Sequence, residues 1–115
     1  MTNKETAIAF SNGSFEAIFH KMAAAVVWNI YGQKKLEGKD AVMAYCREVA
    51  AYFDTVQTDF RAYSIIEDVN TVAINGFAAF KRDGETIAEV NSCDVYEFGD
   101  SGLVCTIRSY CITEK

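Results

Sequence analysis

The sequence predicts a single α+β domain over residues 1–115, in which helices pack on one face of a curved antiparallel sheet. Apolar residues recur with a helical period up to about Phe53 and with a period of two from Thr55 onward. Half of the residues are apolar, which is ample for one buried core in a chain of this length. The sequence contains no proline, so nothing indicates a proline-rich linker between two domains.

The first predicted elements are two helices separated by a turn. A short helix over 2–10 is followed by the turn Ser11–Ser14, which breaks it. Ser14 is the expected N-cap of the second helix, because its hydroxyl can accept a hydrogen bond from an amide of the first helical turn. The second helix presents one apolar stripe with the spacing i, i+3, i+4 and i+7, formed by Phe15, Ile18, Phe19 and Met22.

A strand and a third helix complete the first half of the chain. The apolar run over 26–31 predicts a strand that ends at Gly32. The segment that begins at Gly38 predicts a helix that continues to about Phe53. Its apolar positions again follow a period of about 3.6 residues, and they are Val42, Tyr45, Cys46, Val49 and Phe53.

The second half predicts a meander of four antiparallel strands over 55–67, 70–82, 86–98 and 103–113. Glycine and aspartate in the turns at 82–85 and 99–102 favour tight hairpins, because these residues tolerate positive φ. Because consecutive strands are joined by short turns, they are expected to be neighbours in the sheet.

Alternation along each strand separates an inner face from an outer one. In the strand over 86–98 the more apolar set is expected to face the helices: Ala88, Val90, Ser92, Asp94, Tyr96 and Phe98. The same rule places inside, from the last strand, Leu103, Cys105, Ile107, Ser109 and Cys111. From the first long strand it places inside Val56, Thr58, Phe60, Ala62 and Ser64.

The inward position of Asp94 is the main indication of a site. A buried carboxylate is costly unless it is hydrogen-bonded, paired or neutralised, and burial raises its pKa. Asp94 could therefore be a protonated acid that donates a hydrogen bond to a ligand carbonyl. It could equally be a structural aspartate that Ser92, Ser109 or a tyrosine hydroxyl satisfies. The residue pattern leaves both interpretations open.

The expected site is a mostly apolar pocket with a few polar groups, which is the usual composition of a small-molecule site. Its predicted lining residues are Phe19, Trp28, Asn29, Phe53, Ser92, Asp94, Tyr96, Ile107, Ser109 and Cys111. We expect a small apolar molecule as the ligand, with Asp94 as the candidate acid and with no cofactor.

Other chemistries find less support in the sequence. His20 is the only histidine; it flanks the apolar stripe of the second helix, so a surface position is favoured over a relay with Asp94. An Asp–Arg–Asp set that activates water for epoxide opening could use Asp59 and Arg61. Alternation places both on the outer face, where an exposed ion pair or an interface contact is the favoured interpretation.

The cysteines and the charge disfavour further classes. The four cysteines form no CxxC pair and are expected as reduced thiols without a metal. A net charge of −5 and the absence of a long basic run disfavour a nucleic-acid partner. The sequence has no apolar run long enough to span a bilayer and no recognisable export signal at its start, so a cytoplasmic location without membrane attachment is expected.

Two stretches, Ala25–Tyr45 and Ser92–Tyr110, carry a family resemblance. The first runs from two valines through a loop and Gly38 into a helix; the second places Asp94 four residues before Phe98, followed by a turn and a strand. With these features in this order, the chain resembles the ketosteroid-isomerase and SnoaL-like branch of the NTF2-like superfamily. The resemblance implies a cone-shaped, cystatin-like fold around one pocket, and a homodimer through the outer face of the sheet.

The resemblance also implies a role for Asp94, as the pocket acid that isomerases of this family use in an oxyanion hole. The general-base position of those isomerases falls at Asn29 or Trp28, and neither side chain can accept a proton as a base. The second oxyanion donor, a tyrosine, falls near Thr6, and SnoaL-type cyclases pair the aspartate with a histidine that the late strands lack.

The expected function is therefore that of a SnoaL-like protein that binds a small ligand bearing a carbonyl or hydroxyl group. One alternative is an isomerase, cyclase or hydratase with Asp94 as the acid. Another is a non-catalytic dimeric scaffold that binds a partner through its outer sheet face, at Arg61, Tyr63 or Arg108.

Overall fold

One six-stranded sheet with helices on its inner face forms the body of the computed structural model, which describes residues 1–114. The elements in chain order are α1 Asn3–Ser11, a 3₁₀ helix Phe15–Lys21, β1 Met22–Ile30, β2 Lys34–Glu37, α2 Lys39–Phe53, β3 Gln57–Glu67, β4 Thr71–Arg82, β5 Glu85–Phe98 and β6 Val104–Thr113. The α+β class and the meander of four late strands are confirmed. No helix in residues 1–114 is long and apolar enough to cross a membrane.

The sheet differs from the prediction in its first two strands. Its order is β2-β1-β6-β5-β4-β3, and β1 runs parallel to β6, so the sheet is mixed and not wholly antiparallel. The segment predicted as a loop after Gly32 contains β2, which pairs with β1 in a hairpin. Gly32 adopts φ of 81°, a turn conformation that glycine permits. Only Leu36 is apolar among the four residues of β2, so alternation does not predict this strand.

The two N-terminal helices differ in their type and in their capping. In α1, Glu5 N–H donates to Thr2 Oγ1 at 3.1 Å and Thr2 N–H donates to Glu5 Oε1 at 2.8 Å, which forms a capping box. The second helix is a 3₁₀ helix of seven residues, and Met22 already belongs to β1. Ser14 does not cap it, contrary to the prediction, because its hydroxyl donates to Asn12 Oδ1.

Two β-bulges change which residues face inward. The β3–β4 register shifts between Ala62 and Ser64, so Ile65 packs against the core and Ser64 is exposed. The β5–β6 register shifts next to Phe98, so Val104 is buried and Cys105 is exposed. The predicted inward positions of Ser64 and Cys105 are therefore wrong, because a bulge inserts one residue and reverses the alternation.

Residues on the inner face form rows that cross the strands, and these rows position the site. One row consists of Trp28, Ile107, Tyr96 and Val72, all of them buried. Phe10 of α1 covers this row, with its ring centroid 4.9 Å from that of Trp28 and 5.8 Å from that of Tyr96. The next row, Ile30, Ser109, Asp94 and Ile74, is where buried apolar packing gives way to polar side chains.

Candidate functional site

A cavity of about 390 Å³ lies between the sheet, α2 and the C-terminal end of α1. Its volume is within the usual range for small-molecule sites. Aromatic side chains form much of its wall: Phe10, Phe15, Trp28, Tyr45, Tyr52, Phe53, Phe60 and Phe80. A cluster of polar side chains lies on this wall and consists of Ser11 from α1, Asp94 and Ser109 from one row of the sheet, and Ser92 from the adjacent row.

Six of the ten predicted pocket residues line this cavity, and they are Trp28, Phe53, Ser92, Asp94, Ser109 and Cys111. Tyr96 and Ile107 do not line it, because packing buries both side chains completely. Asn29 is excluded because it follows Trp28 on a strand and must face the opposite side, where Lys35 and Arg108 are its register partners. Phe19 instead lines a separate groove between the 3₁₀ helix and α2.

Asp94 is held on one side by a chain of two hydroxyl groups. Ser11 Oγ donates to Asp94 Oδ2 at 2.9 Å and lies 2.5 Å from Tyr96 Oη. The serine hydroxyl has one proton, and it gives that proton to Asp94. Tyr96 therefore donates to Ser11, and the hydrogen bonds run in one direction from Tyr96 through Ser11 to Asp94.

Ser109 lies on the other side of Asp94. It lies directly opposite Asp94 in the β5–β6 register. The indole Nε1–H of Trp28 donates to Ser109 Oγ at 2.9 Å, which leaves the serine proton available for Asp94. Asp94 is thus flanked by hydroxyl groups from α1, β5 and β6, and it also lines the cavity.

Burial determines the protonation of this cluster. It raises the pKa of Asp94, and hydrogen bonds from Ser109, Ser11 and Tyr96 offset this only in part. Burial, followed by the charge of Asp94, also raises the pKa of Tyr96 well above its usual value. Tyr96 therefore remains a hydrogen-bond donor at neutral pH, and Asp94 is suited to hold a proton towards the cavity.

Cys111 is the other chemically reactive group on the cavity wall. Burial raises the pKa of its thiol to about 11, and the charge of Asp94 contributes in the same direction. Because the thiolate is the nucleophile, a thiol with this pKa is weakly reactive at neutral pH. Among residues 1–114, Asp94 is the only residue with a carboxyl side chain that lines this cavity.

The other candidate catalytic residues, His20, Asp59 and Arg61, do not line the cavity with Asp94. His20 is exposed on the 3₁₀ helix and is not part of the cavity wall. Asp59 and Arg61 are exposed, and the Arg61 guanidinium carbon lies 5.7 Å from the ring centroid of Phe77, a residue of the outer face. An Asp–Arg–Asp set is therefore not assembled in the cavity.

Sequence reasoning missed several lining residues. Tyr45 and Val49 belong to the same apolar stripe of α2 as Phe53, so helical periodicity contained a signal for them. The sequence predicts a turn at Ser11, whereas Ser11 is the last residue of α1 and lies far from Asp94 in the sequence. A single sequence offers no pattern that joins these two residues.

The chain is similar to solved structures over nearly its whole length. It is 28% identical to an NTF2-like protein of unknown function from Cytophaga hutchinsonii, with a TM-score of 0.84 and with 94% of each chain covered. No protein-family model matches the chain, and no curated protein matches it. These findings show the NTF2-like fold and confirm the resemblance found in the sequence.

Two solved structures of lower sequence identity share the fold. A proposed SnoaL-like polyketide cyclase from Jannaschia sp. CCS1 is 14% identical, with a TM-score of 0.73, and the match covers 95% of this chain and 84% of that one. An LEH-like epoxide hydrolase from M. tuberculosis is 17% identical, with a TM-score of 0.71, and the match covers 96% and 82% respectively. At these identities the likeness concerns the fold alone.

Proposed function

We propose that this chain, which has the NTF2-like fold, binds a small apolar molecule that bears a carbonyl or hydroxyl group. The observation that carries the proposal is the position of Asp94, an oriented carboxyl group on the wall of an otherwise aromatic cavity. An apolar body would pack against the aromatic rings, and its polar group would exchange a hydrogen bond with Asp94. Few but well-placed polar groups of this kind fix the orientation of a ligand.

Binding has more support than isomerase, cyclase or hydratase chemistry. Such reactions use an acid and a separate base placed on the same substrate. Among residues 1–114 the cavity wall supplies one carboxyl side chain, that of Asp94, and the raised pKa of Cys111 makes that thiol a poor source of a thiolate at neutral pH. Catalysis would require a base from the ligand or from water.

The first prediction concerns ligand affinity. Replacing Asp94 with leucine, which has a similar shape, is expected to weaken the binding of naphthol and of tetralone about tenfold to hundredfold. The reason is that the polar group of the ligand would lose its partner, at a cost of about 1–3 kcal/mol. Calorimetric or fluorescence titration measures the affinities, and circular dichroism checks that the variant is folded.

Two further variants make this test specific. Asp94→Asn keeps a donor and an acceptor, so it is expected to retain more affinity than Asp94→Leu. Asp59→Leu makes the same replacement at an exposed position on the outer face and is expected to have no effect. Equal affinity for the wild type and Asp94→Leu would contradict the role of Asp94, and failure of both probes to bind the wild type would contradict the proposal itself.

We also propose that two copies of the chain associate through the outer face of the sheet. This face exposes apolar side chains at Tyr31, Tyr63, Ile87, Tyr110 and Ile112. The rings of Tyr31 and Tyr110 stack with their centroids 4.8 Å apart, which forms a flat apolar surface. Exposed apolar patches of this kind are typical of interfaces.

Ile112→Glu is expected to convert a dimer into a monomer, because it places a charge in the apolar contact. Sedimentation equilibrium of the wild type and the variant measures this. The control is Val69→Glu, an equally drastic replacement of an exposed apolar residue in the β3–β4 turn, which is expected to remain dimeric. A monomeric wild type, or an unchanged Ile112→Glu dimer, would contradict the interface.

A further inference from the structure

Lys34 lies in the same row of the sheet as Asp94. In the register, Lys34 is opposite Ile30, Ile30 is opposite Ser109, and Ser109 is opposite Asp94. From Lys34 to Asp94 the row crosses four strands, and the backbones of these two residues are about 14 Å apart at the typical spacing between neighbouring strands. Three members of the row, Ile30, Ser109 and Asp94, line the cavity.

The side chain of Lys34 lies on the inner face, next to the cavity wall. Leu36, two residues further along β2, packs against the core, so Lys34 shares the inward face. The Lys34 ammonium is 4.4 Å from the ring centroid of Tyr45 on α2. Tyr45 and Gln33 both line the cavity, which places this cation at the rim of the cavity.

Lys34 differs from the neighbouring lysine in its charge environment. Lys35 faces the outside and forms an ion pair with Glu37 at 3.5 Å. Lys34 forms no ion pair with any group in residues 1–114, although the chain has a net charge of −5. A cation without an ion-pair partner in residues 1–114 therefore lies at the rim of the cavity, in the same row as the carboxyl group of Asp94 on the cavity wall.

We propose that Lys34, together with Gln33, recognises a carboxylate on the ligand. This inference rests on the proposed function and defines the ligand class as an elongated apolar hydroxy or oxo acid. Its hydroxyl or carbonyl group lies at Asp94, its rings lie against the aromatic wall, and its carboxylate lies at the rim. One ammonium and one amide suit a monoanionic carboxylate, whereas a phosphate dianion is usually bound by more cations or by a set of backbone amides.

The test uses two probes that differ only in the carboxylate, 6-hydroxy-2-naphthoate and 2-naphthol. The wild type is expected to bind the hydroxynaphthoate about tenfold more tightly, as one charge-assisted hydrogen bond provides. Lys34→Gln is expected to lower its affinity to that of naphthol. Lys35→Gln changes the net charge of the protein by the same amount and is expected to keep the tenfold preference.

The outcomes separate this inference from the proposed function. Equal affinity of the wild type for the two probes overturns the role of Lys34, while the binding of naphthol still supports the cavity. An equal loss of the preference in Lys34→Gln and Lys35→Gln also overturns it, because the effect would then come from net charge alone. Failure of both probes to bind the wild type overturns both proposals.

Discussion

The Asp94→Asn protein is expected to be more stable than the wild type at neutral pH, and this advantage is expected to disappear below about pH 4. Burial raises the pKa of Asp94 in the folded state above its unfolded value near 3.8. Between these two values the folded protein holds a proton that the unfolded chain has released, so the wild type loses stability as pH rises. Asparagine has nearly the same shape and stays neutral, so it does not incur this loss.

Urea denaturation from about pH 3 to about pH 8 measures this effect as the difference between the free energies of unfolding of the two proteins. The difference is expected to grow with pH until pH passes the raised pKa. Asp59→Asn is the matched control, since Asp59 is exposed, and its stability is expected to follow that of the wild type. If the wild type instead gains stability over Asp94→Asn as pH rises, the hydroxyls of Ser11, Ser109 and Tyr96 stabilise an ionised carboxylate.

A carboxyl group that lowers stability and lines a cavity points to a function for that group. Natural proteins commonly hold strained or destabilised groups at functional sites. If Asp94→Asn makes the protein more stable and also changes its ligand affinity, the two measurements separate the effect of Asp94 on stability from its effect on ligand binding. A purely structural aspartate predicts the opposite result, because its removal would lower stability and leave ligand binding intact.

The inner face of β5 could be predicted from the sequence because it depends on alternation alone. Asp94 and Ser92 line the cavity, and Tyr96 and Phe98 are buried, as a period of two requires. Alternation also shows that Trp28 and Asn29 cannot both face the cavity, which the prediction overlooked. The errors at Ser64 and Cys105 arise from bulges, which depend on pairing with a neighbouring strand and leave no local pattern.

The cavity itself depended on contacts between distant segments. No pattern in the sequence joins Ser11 to Asp94 or Lys34 to Tyr45, because each pair is brought together only when α1, α2 and β2 pack on the sheet. Residue type indicated the chemistry of the site, in the form of one inward acid among aromatic residues. The arrangement of polar groups along one row required the strand register, which includes a parallel β1–β6 pair that was not predicted.

Ala78→Trp is expected to abolish the binding of naphthol, with an affinity at least about a hundredfold lower than that of the wild type. Ala78 lies on the inner face of β4, opposite Phe60 and Val90, and all three residues line the cavity. A tryptophan side chain at this position would occupy the space of the ligand. The position is only partly buried, so the larger side chain has room and the fold is expected to be retained.

The matched control is Ala79→Trp, because Ala79 is the next residue of β4 and faces the outer side, opposite Asp59 and Glu89. It is expected to bind naphthol like the wild type.

Normal binding by Ala78→Trp would instead place the probe outside the cavity, for which the groove of about 320 Å³ beside Phe19 and Cys46 is the main alternative. That groove contains the Arg47–Glu16 ion pair and no group with the environment of Asp94, so binding there would also be insensitive to Asp94→Leu. The two variants together therefore identify the site that the ligand occupies.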